Sequence, residues 1–140
     1  MLETEDFGSS HPKRKKAEAI LDRLNEHELL KTHQADVRPS GVGELHIEHV
    51  LPQKHNVESW TKLWETGTED WLHRLGNLAL LNQKVNSKIG NQSFENKKDH
   101  LVKSPYPLTR DIGTARSWDS DAVEENHNKY LLHAKEVWDL

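Results

Sequence analysis

His46, Glu48 and His49 set two imidazoles and a carboxylate within four residues, and Pro52 then turns the chain. Neutral imidazole nitrogen and carboxylate oxygen both ligate divalent metals, and an imidazole beside a metal can also serve as a base. Val42, Leu45 and Ile47 lead into this stretch like a short strand, which would end by presenting its last side chains at a common point. The octapeptide His46–Gln53 reads equally as a surface strand in a chain that holds ten His. The choice rests on the elements around it.

A second apolar run, Leu75-Gly76-Asn77-Leu78-Ala79-Leu80-Leu81-Asn82, predicts a turn followed by a short strand buried on both faces. The two strands can pair as a hairpin across a long insertion. Within the insertion Trp60, Leu63 and Trp64 share one helical face, with Asn56 placed to cap it and Gly67 suited to end it. Thr68 opens a second short helix carrying Trp71, Leu72 and Leu75. These aromatics could stack on bases, but helical spacing assigns them to the core.

Residues 1–12 are acidic and then Gly/Ser-rich and read as a disordered lead-in. The spacing of Ala17, Ile20, Leu21 and Leu24 predicts a helix over 13–31. Its opening block Lys13-Arg14-Lys15-Lys16 reads as a solvated helix start in preference to a phosphate contact. Pro39, Gly41 and Gly43 mark a loop before the first strand. Gly90 breaks the chain after the second strand, and Ser93 caps a helix through Leu101. Pro105 and Pro107 mark a further loop. Asp119 or Ser120 then caps a packing helix over 120–138, with Val123, His127, Tyr130, Leu131, Ala134, Val137 and Trp138 on one stripe.

A chain of 140 residues, 34% hydrophobic and 30% charged, allows one domain with a modest core, here 13–140. Without Cys it has no disulfide framework and no thiolate zinc site, which suits a cytoplasmic protein. No apolar run nears the ~20 residues of a membrane span, and no signal-peptide pattern opens the chain, so no membrane partner is expected. The net charge of −4 disfavours nucleic acid unless local charge supplies the contact. Residues 83–103 supply it: Lys84, Lys88, Lys97, Lys98 and Lys103 stand against Glu95 and Asp99, with Asn86, Asn91 and Asn96 among them. Lys84, Lys88, Lys97 and Lys98 are therefore the expected DNA phosphate contacts. A plain solvated face explains the lysines, but not so many amides, which are poor helix formers.

His46-x-Glu48-His49-x-x-Pro52-Gln53, then Gly76-Asn77-Leu78-x-Leu80-Leu81-Asn82, then an Asn-bearing basic segment, is an order that resembles the ββα-metal (HNH) nuclease motif. The nearer likeness is to the C-terminal HNH domain of GmrSD-like modification-dependent restriction endonucleases. The nickase domain of phosphorothioate-sensing phage-defence proteins is similar. The resemblance spans about Glu44 to Ser104 and, more weakly, Trp118 to Trp138. It implies an α+β fold, mainly helical, built around a ββα-metal core over 42–103 with a two-stranded antiparallel hairpin.

The resemblance also implies roles. His49 matches the general base, Glu48 and Asn86 the metal ligands, and Asn77 the residue that braces the loop. His46 is an extra ligand or a substrate contact. One divalent ion is implied, Mg²⁺ before Mn²⁺ or Ni²⁺. The implied activity is DNA cleavage or nicking in restriction or phage defence, with an N-terminal sensor and nucleotide-hydrolysing domain as partner. This chain has no phosphate-binding Gly-rich loop of its own. It departs from the family in having Glu48 where Asp or His is common, and Asn126 where a basic residue often follows Trp118. Two alternatives stand beside the nuclease reading. One is a catalytically inactive HNH-fold DNA-binding or assembly module. The other, a zinc hydrolase using His46 and His49, lacks an H-E-x-x-H helix.

Overall fold

Leu45–His49 forms strand β1 and Leu78–Asn82 forms β2, paired antiparallel with His46 opposite Leu81, Glu48 opposite Ala79 and His49 opposite Leu78. The computed structural model describes residues 2–32, 45–82 and 89–139. In chain order the helices are α1 (His11–Lys31), α2 (Glu58–Thr61), α3 (Thr68–Trp71), α4 (Phe94–Leu101), α5 (Pro107–Ile112) and α6 (Ser120–Trp138). A single 3-10 turn, Leu75–Asn77, leads into β2. The fold is α+β, mainly helical, around one two-stranded antiparallel hairpin. None of the described helices is long and apolar enough to cross a membrane.

The unbroken apolar run of β2 follows from its burial on both faces. Leu78 and Leu80 join Phe7, Ala17, Leu21, Leu24, Tyr106 and Tyr130 on the α1 side. Ala79 and Leu81 join Trp60, Trp64, Phe94 and Trp118 on the other. Trp60, Trp64 and Trp118 are thus core residues, the place that helical spacing predicts for the first two. The carbonyls of Leu78 and Leu80 accept hydrogen bonds from the hydroxyls of Tyr130 (2.9 Å) and Thr109 (2.9 Å), so buried backbone acceptors are satisfied by side chains.

Helix ends obey local chemistry. The Ser93 hydroxyl accepts from the Asn96 N–H at 3.3 Å, and the Asp119 carboxylate from the Ala122 N–H at 2.9 Å, each meeting an orphan donor of the first turn. Pro12 sits in the first turn of α1, where its missing N–H costs nothing. The expected Asn56 cap is not used: Val57 precedes α2 and makes no side-chain cap. Trp138, expected on the buried stripe of α6, is 42% exposed because it lies in the last turn of the helix.

The N-terminal segment corrects the expectation of a disordered lead-in over 1–12. Phe7 is fully buried, its N–H donates to the His73 carbonyl at 2.8 Å, and α1 begins at His11. The Asp6 carboxylate accepts from the N–H groups of Gly8 (3.0 Å) and Ser9 (3.1 Å), folding the segment into a turn. One aromatic anchor and one Asx turn outweigh the polar composition around them. The basic block that follows meets acids: Lys13 pairs with Asp6, Lys15 with Glu18 and Lys16 with Glu5.

α6 closes on the 3-10 turn through Gly76. A Cβ there would lie 2.3–2.7 Å from His127, so only glycine admits the approach. Asn126 donates to the Gly76 carbonyl at 2.9 Å, which gives this buried amide a structural task. The Gly76 N–H donates to Nδ1 of His127 at 2.9 Å, and Nε2 lies 2.9 Å from the Glu3 carbonyl. This pair of bonds requires the neutral ring protonated on Nε2. Burial first, against the bond to Glu3, holds the basicity of His127 below its ordinary value. A folded-state pKa below the unfolded value of about 6.5 means that this stability is present above that pH and is lost as pH falls below it. Thermal melts between pH 8 and pH 5 should therefore show a falling Tm. His127→Asn, which keeps an acceptor for Gly76, should flatten part of that slope; an unchanged slope would refute the assignment.

Candidate functional site

β1 is apolar where it meets α1 and polar where it ends. Its pleat turns Ile47 toward the α1 side and Glu48 toward the tryptophan side, and His49 is its last residue. Glu48 and His49 are both buried, at 6% and 5% exposure, yet both line one cleft of about 450 Å³ with Pro52, Gln53, Lys54 and Asn91. His46 lines a different depression, of about 200 Å³, against His11, Arg14 and Lys15 of α1. The chain therefore brings Glu48 and His49 to one place and His46 to another.

Asn77 fastens the exit of the hairpin. Its amide oxygen accepts from the Leu51 N–H (2.8 Å) and from Nε1 of Trp118 (2.9 Å). Its amide nitrogen donates to the carbonyls of Leu51 (3.0 Å) and Leu72 (2.9 Å). The Val50 N–H also donates to the Asn77 carbonyl at 3.0 Å. A fully buried Asn with two donors and two accepted bonds uses its full ordinary capacity. It fixes the turn that carries Glu48 and His49 to the cleft.

Lys97 corrects the expectation of a lysine facing DNA phosphates. It is fully buried, and its ammonium donates to the carbonyls of Val50 (2.9 Å) and His49 (3.2 Å). The same nitrogen lies 3.7 Å from Oε2 of Glu48 and 5.7 Å from the centre of the Trp60 ring. Helical geometry explains the burial: Phe94, Lys97 and Leu101 lie on the inward stripe of α4. Lys98, one position on, is half-buried with its ammonium 5.7 Å from the centre of the Phe94 ring. Asn86, Lys84 and Lys88 lie outside the described residues.

The electrostatics follow from these partners. Burial pushes the Glu48 carboxyl upward and the Lys97 ammonium pulls it back; burial pushes Lys97 downward and Glu48 opposes that. His49 is pushed down to about 3, by burial first and then by the charges of His73, Arg14 and Lys97, against Asp6. Its ring is neutral at neutral pH. Nε2 of His49 lies 3.1 Å from Nδ1 of His73, and the two rings meet edge to face with centres 5.1 Å apart. Burial also lowers the basicity of His73, against Asp6.

Oε2 of Glu48 is closed to solvent and has no hydrogen-bond partner. An oxygen donor in that condition fits a hard divalent cation, which takes one or two protein carboxylates and completes its shell with water and phosphate. Among the described residues, no group of three or more His, Asp or Glu stands ready to hold a metal. The chemistry within reach is proton uptake at a neutral imidazole beside a buried carboxylate. The buried role of Lys97 and the part of His73 are absent from the sequence reading. The α4 stripe signals Lys97, while His73 reaches His49 only through the folded insertion, which no local spacing announces.

Residues 2–132 match the family model described as GmrSD restriction endonucleases, C-terminal domain. No curated protein and no solved structure matches the chain.

Proposed function

Since the chain belongs to the family of C-terminal domains of GmrSD restriction endonucleases, we propose that it is a metal-dependent HNH DNA endonuclease or nickase. It would hydrolyse phosphodiester bonds as the cutting part of a restriction or phage-defence protein. The observation that carries this is the placing of Glu48 and His49 at one cleft, on a hairpin end held by Asn77. His49, neutral and next to the cleft, takes the proton of the attacking water. Glu48 would hold a divalent ion, Mg²⁺ before Mn²⁺ or Ni²⁺, with Asn86 as the further protein ligand. Such an ion, when bound, would supply positive charge beside the phosphate oxygens. Lys84, Lys88 and Lys98 hold flanking phosphates, and His46, in its own depression, serves as a substrate contact. The domain would act in the cytoplasm, joined to an N-terminal sensor and nucleotide-hydrolysing domain.

Lys97 shapes the expected metal behaviour. Its ammonium cancels the charge of Glu48, so substrate phosphate must supply the rest of the attraction for a cation. Calorimetry should find weak Mg²⁺ binding to the free domain, tightened about tenfold by non-cleavable DNA. Equal affinity with and without DNA would count against that assignment.

A second reading, an inactive HNH-fold DNA-binding or assembly module, draws on the neutralised Glu48 and the deep burial of His49. Supercoiled plasmid separates the two. Nicked or linear product with Mg²⁺ or Mn²⁺, absent in His49→Ala, supports the nuclease. Binding without cutting under any of these metals supports the module.

A further inference from the structure

Resting on the nuclease reading above, we propose that His73 is the positioning residue of His49, fixing the ring by accepting its Nε2–H and leaving Nδ1 as the nitrogen that receives the proton. A neutral imidazole has one protonated and one bare nitrogen, and the partner of either decides which is which. Nε2 of His49 is committed to Nδ1 of His73 at 3.1 Å. The nitrogen left to act as a base is Nδ1, and it is bare only if the proton sits on Nε2. His49 must then donate to His73, and His73 must carry its own proton on Nε2.

The N-terminal segment holds this contact shut. A Cβ built on Gly8 would lie 2.4 Å from Nε2 of His49 and 2.6 Å from Nδ1 of His73, so the backbone of Gly8 packs on the junction between the two rings. That backbone is itself anchored: the Gly8 N–H donates to Asp6 at 3.0 Å and the Gly8 carbonyl accepts from Arg14 at 3.1 Å. The adjacent Phe7 N–H donates to the carbonyl of His73 (2.8 Å), tying the same segment to the partner histidine. The Nε2 side of the His49 ring is thus packed against Gly8 and His73. His73 is half-buried on the loop after α3, so its replacement leaves the core intact.

The test joins kinetics to ¹⁵N NMR of the imidazoles. In the unmodified domain His49 should show a protonated Nε2 and a bare Nδ1. His73→Ala should abolish that pattern and lower kcat for plasmid nicking about 10²-fold, the scale of a misplaced reacting group, with KM little changed. His73→Asn, whose amide oxygen can stand where Nδ1 stood, should restore the pattern and most of kcat. A ring pattern unaltered in His73→Ala overturns the proposal, as does His73→Asn failing to recover it while melting like the unmodified domain. If the unmodified domain cuts no DNA, the nuclease reading fails, and the NMR arm still decides the bond between the two rings.

Discussion

Replacing His49 with Ala is expected to lower DNA cleavage by ~10²–10⁴-fold, the usual range for a lost general base, with DNA binding nearly unchanged. The imidazole is only 5% exposed, so it adds almost nothing to the surface that a duplex would touch. Its removal deletes a proton acceptor at the cleft and leaves the backbone groups of β1 in place. The carbonyl of His49 still accepts from Lys97, because that bond belongs to the main chain. The freed Nδ1 of His73 sits on a half-buried residue and can turn to water, which limits the structural cost. Single-turnover cleavage of supercoiled plasmid, read beside a metal-free gel shift, separates chemistry from affinity. Equal losses of binding and cleavage would show that His49 shapes the surface and does not act on the water.

How much of this site the sequence discloses depends on how local its causes are. The two strands announce themselves by pattern. The caps Ser93 and Asp119 announce themselves by residue type just before an apolar period, so α4 and α6 begin where expected. Glu48 and His49 reach one cleft because they are neighbours on a strand end. His46 is two residues from Glu48 in sequence, but it lines a depression with α1, and that placement depends on where a helix 15 to 35 residues upstream docks. Residues 2–10 mislead because composition averages over a stretch whose behaviour is set by a single buried ring, Phe7. Lys97 misleads because its helical phase, and not its charge, decides where it lies. A lysine between Phe94 and Leu101 on one stripe must go where they go, and it is tolerated there because a carboxylate and two carbonyls receive it.

That buried lysine gives the largest expected loss of stability. Lys97→Met keeps the length of the stem and removes the ammonium, stranding Glu48 in the core beside two unmatched carbonyls. Breaking a buried ion pair on one side costs about 3–5 kcal/mol, against a total of roughly 5–15 kcal/mol for a domain. The urea midpoint should fall accordingly. Adding Glu48→Gln removes the stranded charge, so the double variant should recover part of the loss. It should not recover all, because the carbonyls of His49 and Val50 still lack a donor, at roughly 1–3 kcal/mol each. The coupling energy from the four proteins isolates the pair itself. A double variant no more stable than Lys97→Met would show that the ammonium serves the two carbonyls alone, and that Glu48 gains nothing from it. The same ammonium holds the main chain at His49 and Val50, so the end of β1 should loosen in both variants. Faster amide exchange at Val50 and Leu51, with β2 still protected, would mark that loosening and tie the fold to the placement of the base.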